Sequence, residues 1–338
     1  MCPVLNPYLD SDEPKGCFLG WHNDTLVRKN SSSGGIFSAI ADAILKDGGI
    51  VWGAAYDQNI KLVYQDIQTA DELSKLRGSK YVQCEVGDAF LRIKDQLLHN
   101  RKVLFCGTPC HVKGLLAYIP THLQERLVTV DFVCHGVPSP KFFAEYLKWL
   151  EQIYGKSLSY YNFREPKYSM NYSLTTGCTF TDGKHKFISG IDNSYIRAFE
   201  KGYTLRDCCY HCKSNGSKRQ SDFTLADAFG GEKIIGLNDI VNGASIFITN
   251  TQKGLKMMDS LNISFQEIPL EIVIRANSNY VGNFKSGLRE MQTKFYADSG
   301  LTFDERVQKW MKPSIGENIK VLLYNLLGAK IFYWLKNL

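Results

Sequence analysis

The chain of 338 residues is 44% hydrophobic and 12% aromatic, so it can bury a large core and is neither a disordered tail nor a small disulfide-stapled scaffold. Its formal net charge of +6 is spread along the sequence, and no nucleic-acid-binding motif occurs, so we expect no nucleic acid partner. No secretion signal and no run of about 18 apolar residues occurs, which predicts a cytoplasmic protein. In that compartment the ten cysteines are expected to be reduced and available for metal or redox chemistry.

Residues 31–140 alternate helical patterns with short apolar runs. "SGGIFSAIADAILKDGG" predicts a helix that ends on glycines, and "GIVWGAAYD" predicts a buried strand. The next predicted elements are, in order, a charged helical segment near 71–77, a helix near 86–99, the strand "RKVLFCG", a helix after "TPCHVKGLLAYI" and the strand "LVTVDFVCHG". This alternation predicts an α/β fold in which helices cover a mixed sheet.

The pattern changes beyond about residue 155. The tyrosine-rich segments "SLSYYNFRE" and "NYSLTTGCTF" predict an antiparallel β layer, with a turn at "TDGKH". After a cysteine-rich segment, which is a candidate for binding a cluster or a metal, the sequence predicts the strands "SDFTLADAFG" and "ASIFITN" and a helix in "TQKGLKMMDSL". The C-terminal "GENIKVLLYNLLGAKIFYWLKNL" is amphipathic and predicts a helix that docks on the rest of the chain, with peripheral membrane contact as the alternative.

Four cysteines form a candidate ligand set. The segment "CCYHC" contains a Cys-x-x-Cys pair, Cys209 and Cys212, whose spacing lets two thiolates reach one metal or cluster. Cys110 and Cys134 follow two predicted strands, and open α/β sheets bind ligands outside the carboxyl ends of their strands. The set suits a 4Fe-4S cluster or structural zinc, and spacing alone does not decide between them. Further cysteines are interpreted as buried small hydrophobic side chains: Cys17, Cys84, Cys106, Cys178 and Cys208.

The stretch "RKNSSSGGIF" supplies hydroxyls and glycines at a predicted helix N-terminus, where free backbone N–H groups and the helix dipole favour a phosphate. It matches neither the Walker loop nor the Rossmann fingerprint, and an ordinary helix cap with a glycine turn is the commoner explanation. The stretch "LRGSKYVQ" adds a cation and an aromatic ring for a nucleotide or flavin, with a solvated loop as the alternative. The candidate residues of the two stretches are Ser31, Ser32, Ser33, Gly34, Gly35, Ser79, Lys80 and Tyr81.

Seven segments between about residue 15 and residue 262 carry a family likeness: "SSSGGIF", "LRGSKYVQ", "LFCGTPCHVKGL", "VCHGVPSPKFF", Arg206 to Cys212, "KRQSDFTLADAFG" and "NGASIFITNTQKG". In this order they resemble the beta subunit of coenzyme F420-reducing hydrogenase and dehydrogenase, a family that includes the reductase of hydroxymethyl chlorophyll. The resemblance implies an FAD-dependent iron–sulfur oxidoreductase and favours 4Fe-4S over zinc on Cys110, Cys134, Cys209 and Cys212. It also implies flavin contacts from the Ser31–Gly35 loop, from Ser79–Tyr81 and from the turn Gly107, Thr108 and Pro109.

The resemblance further implies three regions. Residues 1–30 correspond to the remnant of an N-terminal ferredoxin-like region and a lead-in, residues 31–262 to the FAD and iron–sulfur catalytic domain, and residues 263–338 to a helical C-terminal region. Cys2-Pro3 resembles the end of a ferredoxin cluster motif without its upstream cysteines, so we expect either a shortened relative or a true start farther upstream.

The leading hypothesis is a reductase or dehydrogenase that passes electrons between a ferredoxin-type carrier protein and a small-molecule substrate or deazaflavin coenzyme. The bacterial relatives suggest polysaccharide biosynthesis as its setting. His111 and His135 are candidate catalytic residues because imidazole titrates near neutral pH, although each is also interpretable as a satisfied donor beside the cluster. Arg206, Arg219 and Asp222 are expected to contribute a structural ion pair, with substrate contact as the alternative. Two alternative functions are an electron-transfer subunit of a larger complex and a non-catalytic, zinc-stabilised scaffold. A homo-oligomeric state is also compatible with the sequence.

Overall fold

The structure is a computed structural model that describes residues 13–165, 175–190, 192–236, 239–240, 242–281, 286–319 and 322–323. Within these ranges the chain forms an eight-stranded mixed sheet and a three-stranded antiparallel sheet. Helices pack on both faces of the large sheet. The predicted α/β class and the predicted antiparallel β layer are confirmed.

The strands are β1 (Gly16–His22), β2 (Ile50–Tyr56), β3 (Leu62–Ile67), β4 (Val103–Cys106), β5 (Leu127–Phe132), β6 (Leu158–Asn162), β7 (Thr176–Phe180), β8 (His185–Ile188), β9 (Phe223–Asp227), β10 (Ser245–Thr249) and β11 (Ile263–Glu267). The large sheet has the order β11-β1-β10-β9-β5-β4-β2-β3, and the small sheet has the order β6-β7-β8. Strands β2, β4, β5 and β9 are parallel to one another, while the flanking strands pair antiparallel.

The helices are α1 (Thr25–Lys29), α2 (Ile36–Lys46), α3 (Ala89–Leu98), α4 (Pro109–Tyr118), α5 (Pro140–Tyr154), α6 (Ser194–Glu200), α7 (Asp207–Tyr210), α8 (Glu232–Ile235), α9 (Gln252–Met257), α10 (Leu270–Ala276), α11 (Ser286–Ala297) and α12 (Phe303–Trp310). Short 3-10 turns span Ala70–Lys75, Thr121–Arg126, Met258–Ser260, Ser278–Val281 and Asp298–Gly300. The charged segment predicted near 71–77 is the first of these turns. In the part of the chain that the structure describes, no helix is long and apolar enough to cross a membrane.

The parallel strands read as continuous apolar runs because helices cover them on both sides. On one face, α2 places Ile36, Ile40 and Ile44 in a single stripe, and all three are buried against the sheet. On the other face, Trp52 of β2 and Phe105 of β4 pack in a large core with α3, α4 and α5. This two-sided burial fixes the parallel strands, so that their carboxyl ends form one defined edge.

The sequence patterns do not predict β1, β3 or β11. Strand β1 lies between β10 and β11, and a side chain at Gly20 would collide with Phe265, whose Cβ is 2.7 Å from the position of the added atom. Strand β11 is a five-residue edge strand with one buried residue, and its alternation of Ile263 and Phe265 with polar residues is too short to be a clear signal. The large sheet therefore draws strands from all three predicted regions, whose boundaries stay predictions. Cys2 and most of the predicted C-terminal amphipathic helix lie outside the described residues.

Candidate functional site

The carboxyl ends of the parallel strands β2, β4, β5 and β9 form one edge of the large sheet, called the carboxyl edge below. The turn Gly107 to Pro109 and then Cys110 follow β4, and Cys134 follows β5. Asp227 is the last residue of β9. Ligands of open α/β sheets bind outside this edge, so the residues that leave it are the candidates for function.

Two loops hold Cys110 and Cys134 at the carboxyl edge. Cys110 is the second residue of α4, and the Thr108 hydroxyl lies 3.2 Å from its Sγ. Cys134 lies two residues beyond β5, and the Gly136 N–H donates to its Sγ at 3.4 Å. Both sulfurs therefore occupy the strand-end positions that the sequence predicts.

The cysteine-rich segment folds back onto the same edge. The Arg206 N–H donates to the carbonyl oxygen of Val137 at 3.0 Å, just beyond the Cys134 loop. Lys113 Nζ of α4 donates to the carbonyl oxygen of Lys213 at 3.2 Å. Because Lys213 follows Cys212 directly, this bond ties the Cys-x-x-Cys pair to the helix that carries Cys110.

Gly136 lets α7 approach the Cys134 loop. Its φ of 116° is a conformation that side chains with a Cβ rarely adopt. An added Cβ would lie 2.9 Å from Leu205 Cδ1 and 3.2 Å from the Cys209 Cβ. The absence of a side chain at residue 136 thus brings Cys209 close to the loop that holds Cys134.

The four cysteines influence one another's ionisation. Burial raises the pKa of Cys134 to about 12, and the sulfurs of Cys110 and Cys212 add to the increase. The pKa of Cys209 is also raised, first by a hydrogen bond with Cys208 and then by burial, and the Cys134 sulfur adds to it. The predicted ligand set is therefore a group of electrostatic neighbours. Its protonated thiols would release protons on binding a metal.

The donor chemistry of this group suits a cluster. Its cysteines come from α4, from the loop after β5 and from the segment 207–212. Among the described residues, no three His, Cys, Asp or Glu side chains are grouped closely enough to hold a single metal ion. The thiolates of a 4Fe-4S cluster bind different iron atoms rather than one ion.

Cys208 is exposed, so its predicted burial is wrong. Consecutive residues of the single turn α7 point in different directions, and Cys209 packs toward Leu205 while Cys208 turns outward. A hydrogen bond with Cys209 lowers the pKa of Cys208 to about 6, with Arg206 adding to the effect. The predicted burial is confirmed for Cys17, Cys84 and Cys178, whereas Cys106 is half-buried.

Both predicted catalytic histidines have hydrogen-bond partners. The Tyr64 hydroxyl lies 3.0 Å from His111 Nδ1, and burial lowers the pKa of His111 to about 4 with a further contribution from Arg206. His135 Nε2 lies 3.1 Å from the carbonyl oxygen of Phe199, to which it can donate. The His111 imidazole is therefore neutral at pH 7, and a catalytic role for either residue stays a prediction.

A hydrogen bond joins two of the predicted flavin segments, because the Ser79 N–H donates to Ser32 Oγ at 2.9 Å. The hydroxyl of Ser31 donates to Val27 O, and that of Ser33 to Ala244 O, so both bind carbonyl oxygens of the protein. No side chain among the described residues caps α2, whose first turn follows this loop. The groups left to meet a phosphate are thus the first backbone N–H groups of α2.

The ammonium of Lys80 lies at the carboxyl edge but is already hydrogen-bonded. Its Nζ donates to the carbonyl oxygens of Leu76, Arg77 and Gly78 at 3.2, 2.8 and 3.1 Å. Burial lowers the pKa of Lys80 to about 8, and the nearby Cys106 sulfur at the end of β4 opposes that change. A direct contact between Lys80 and a flavin stays a prediction.

The turn Gly107, Thr108 and Pro109 connects β4 to α4. The Gly107 N–H donates to Val130 O at 3.0 Å, which holds the turn against β5. A side chain at Gly107 would meet the Phe105 ring, 2.8 Å from the added atom. The turn is therefore tightly packed and positions Cys110, while its predicted contact with a flavin is untested.

A buried ion pair at the carboxyl edge escapes sequence reasoning. Arg164 Nη1 donates to both carboxylate oxygens of Asp227 at 2.8 Å, and the arginine side chain is only 6% exposed. Arg164 also hydrogen-bonds with the hydroxyl of Tyr81, whose pKa burial raises. The Tyr81 ring stacks on Phe199 with centroids 4.9 Å apart. An arginine inside the aromatic stretch "YNFRE" is the one available signal in the sequence.

Arg219 provides the expected structural ion pair with a different partner. Its Nη1 lies 3.5 Å from Asp131 Oδ2 on β5, and both side chains are buried. Asp222 instead pairs with Lys253 at 3.1 Å and accepts from the Thr129 N–H at 2.8 Å. Arg219 and Asp222 therefore fix the cysteine-rich segment and the start of β9 to the sheet, rather than pairing with each other.

Comparison with models of known protein families identifies the family of the chain. Two family models, of the C-terminal and N-terminal parts of the "Coenzyme F420 hydrogenase/dehydrogenase, beta subunit", match residues 100–269 and residues 17–90 respectively. The chain belongs to the coenzyme F420 hydrogenase/dehydrogenase beta-subunit family. The match confirms the resemblance found in the sequence, and the N-terminal match begins inside β1.

One solved structure similar to this chain is the xenon-derivatised F420-reducing [NiFe] hydrogenase complex from Methanosarcina barkeri. Its matching chain is 16% identical, with a TM-score of 0.49, over 90% of this chain and 93% of that chain. A search of curated proteins finds no match.

Proposed function

We propose that this protein is an oxidoreductase that holds FAD and a 4Fe-4S cluster side by side at the carboxyl edge. It passes electrons between a ferredoxin-type carrier protein and an organic substrate or a deazaflavin coenzyme. The observation that carries the proposal is the convergence of Cys110, Cys134, Cys209 and Cys212 on one edge of the sheet. Family membership supports the redox class, because the family is described as a hydrogenase and dehydrogenase subunit.

The surroundings of the cysteines fit a cluster. The Gly136 N–H donates to the Cys134 sulfur, and N–H donors of this kind raise the reduction potential of an iron–sulfur centre by stabilising its added negative charge. Arg219 lowers the pKa of Cys134, and Lys113 lies near the sulfurs of Cys212 and Cys110. These cations would offset the negative charge of four thiolates.

The flavin segments fit a dinucleotide through backbone rather than through side-chain hydroxyls. The uncapped first turn of α2 favours a phosphate, and the Ser32–Ser79 hydrogen bond sets the Ser79–Tyr81 segment beside it. Arg164, held by Asp227, fixes the hydroxyl of Tyr81 at the same edge. When bound there, FAD would supply exchange of two electrons with an organic partner and of single electrons with a cluster.

The chain's own residues leave an approach for an electron carrier. Phe132 at the end of β5 is 37% exposed, Phe229 beyond β9 is 59% exposed, and Cys110 is exposed. Exposed aromatic side chains beside a redox centre suit brief docking of a partner protein. Under this proposal the protein works in the cytoplasm with a separate carrier, and bacterial polysaccharide biosynthesis is one setting for its organic substrate.

The test compares two adjacent cysteines, of which Cys209 is a proposed cluster ligand and Cys208 is not. The wild-type chain and the variants Cys209→Ser and Cys208→Ser are purified anaerobically, and iron, sulfide, zinc and flavin are measured with the visible spectrum. We expect about four irons and four sulfides per chain in the wild type, near-complete loss in Cys209→Ser and retention in Cys208→Ser. Stoichiometric zinc without flavin would refute the proposal and favour a scaffold. Equal iron in the two variants would refute the assignment of Cys209.

A further inference from the structure

An apolar helix face beyond α12 is exposed to solvent. Residues 315–319 and 322–323 are helical, and they carry four large aliphatic side chains. Their exposed fractions are 81% for Ile315, 51% for Ile319, 58% for Leu322 and 43% for Leu323. The spacing i, i+4, i+7 and i+8 places all four side chains on one face of the helix. Neighbouring exposed apolar side chains of this kind mark a surface that contacts another body.

The opposite side of this helix is held to the chain. Ser314 and Glu317 form a capping box, in which the Glu317 N–H donates to Ser314 Oγ at 3.2 Å and the Ser314 N–H donates to Glu317 Oε2 at 2.6 Å. Glu317 also pairs with the buried Arg197 of α6 at 3.3 Å. Residue 317 lies about 200° around a helix from residue 315, so the anchored side and the apolar face point in opposite directions.

The sequence that follows has the composition of a membrane-surface helix. After Leu323 it reads "YNLLGAKIFYWLKNL", in which Phe332, Tyr333 and Trp334 are consecutive. Aromatic side chains are enriched where a bilayer meets water, and amphipathic helices that contain them lie in that interface. Asn325 and Lys330 interrupt the apolar run, which suits a segment on a membrane surface better than one that crosses the membrane.

The charges of the segment indicate the kind of surface. Residues 312–338 contain one acidic residue, Glu317, which is paired with Arg197, and four basic residues: Lys312, Lys320, Lys330 and Lys336. Each lysine beside an anionic membrane strengthens binding by roughly fivefold. A second copy of this chain on the same face would instead bring these lysines against one another. An apolar face accompanied by lysines therefore complements an anionic lipid surface.

We propose that the segment beginning at residue 315 binds the surface of a membrane that contains anionic lipids. Ile315, Ile319, Leu322 and Leu323 enter the boundary between headgroups and acyl chains, and the lysines contact lipid phosphates. Arg197 and the capping box fix the start of the helix, so the rest of the chain is held at the membrane. The inference goes beyond the proposed redox function and does not depend on it, because none of these residues belongs to the predicted flavin or cluster sites.

The first experiment measures cosedimentation of the full chain with vesicles of equal parts phosphatidylcholine and phosphatidylglycerol, and with vesicles of phosphatidylcholine alone. The double variant Ile319→Glu with Leu322→Glu places two charges on the apolar face. The matched control is Leu91→Glu with Leu98→Glu on α3, which changes the net charge equally at side chains that are 61% and 56% exposed. Circular dichroism checks the fold of each variant, and sedimentation velocity without lipid measures self-association.

A second pair of variants tests the lysines. Lys320→Gln with Lys330→Gln removes two positive charges from the segment, and Lys184→Gln with Lys186→Gln removes two from exposed positions at and beside β8. We expect the first pair to weaken binding to the mixed vesicles by roughly 25-fold and the second pair to have little effect. Equal effects of the two pairs would overturn the role of these lysines.

We expect the wild type to bind the mixed vesicles, and to bind phosphatidylcholine alone about tenfold more weakly or less. The variant Ile319→Glu with Leu322→Glu should weaken binding by about tenfold or more, and the α3 control should bind as the wild type does. A wild-type chain that stays in solution, or a double variant that binds as tightly as its control, would overturn the proposal. Equal binding to both kinds of vesicle would overturn the anionic assignment. Self-association without lipid that the double variant abolishes would assign the face to a second copy and overturn the proposal.

Discussion

The ion pair between Arg164 and Asp227 is expected to stabilise the carboxyl edge. Two oxygens of Asp227 accept from Arg164 Nη1 at 2.8 Å, and the side-chain exposures are 6% for the arginine and 32% for the aspartate. The substitution Asp227→Asn keeps the shape of the side chain and removes its charge. The buried guanidinium then faces a neutral amide in place of a carboxylate.

The magnitude follows from this burial. Removing one member of a fully buried pair costs about 3 to 5 kcal/mol, whereas exposed pairs contribute about 1 kcal/mol or less. Because about a third of Asp227 remains in contact with water, we expect Asp227→Asn to lower the free energy of unfolding by about 2 to 3 kcal/mol. The variant should also retain less flavin, since Arg164 fixes Tyr81 in the predicted flavin segment.

Urea unfolding followed by circular dichroism measures the effect as a shift of the transition midpoint. The matched control is Asp182→Asn, which removes the charge from an exposed pair with Lys156 whose side-chain exposures are 32% and 42%. We expect little change in the control. Equal midpoints for Asp227→Asn and Asp182→Asn would refute the claim that the buried pair stabilises this edge.

Two further predictions concern Gly136 and Lys80. We expect Gly136→Ala to lose most of its bound iron, because the φ of residue 136 is 116° and the new Cβ would lie 2.9 Å from Leu205 Cδ1. The control Gly183→Ala also has a positive φ, 79°, but its new Cβ would lie in open space, so it should keep its iron. Similar iron contents in the two variants would contradict the claim that Gly136 brings Cys209 close to the Cys134 loop. Burial lowers the pKa of Lys80 from 10.5 to about 8, so between these values Lys80 binds more protons in the unfolded chain than in the folded chain, and its contribution to stability should rise with pH. Buried cysteines with a raised pKa, such as Cys134, act in the opposite direction above pH 9, so the comparison with Lys80→Met isolates the effect of Lys80. Between pH 8 and pH 10 the urea midpoint of the wild type should rise more, or fall less, than that of Lys80→Met, and parallel profiles would contradict this.

The grouping of the four cysteines at the carboxyl edge could be predicted because it rests on two local signals, while their role as cluster ligands stays a prediction. A short Cys-x-x-Cys spacing is visible in the sequence, and Cys110 and Cys134 follow apolar runs that could only be buried strands. Parallel strands place their carboxyl ends together, so topology alone brings these residues to one edge. The same reasoning could not orient Cys208, since its exposure depends on which side of α7 packs against Leu205.

The missed features depend on contacts between distant parts of the chain. Arg164 lies just beyond β6 and meets Asp227, which is 63 residues later at the end of β9, and no spacing rule connects them. Arg219 pairs with Asp131 of β5, whereas Asp222, which is closer to Arg219 in the sequence, pairs with Lys253. Edge strand β11 was missed because it has only five residues, in which Ile263 and Phe265 alternate with polar residues too briefly to stand out. Local patterns thus predicted the elements, whereas the choice of ionic partners required the assembled fold.

The most direct test of the central claim is an anaerobic reductive titration of the purified chain, followed by its visible spectrum. A chain that holds one FAD and one 4Fe-4S cluster should take up roughly three electrons, two in the flavin and one in the cluster. The Cys209→Ser variant should take up about two, with only the flavin absorption changing. A wild-type chain that takes up no electrons, or that shows only flavin reduction, would contradict the joint flavin and cluster site.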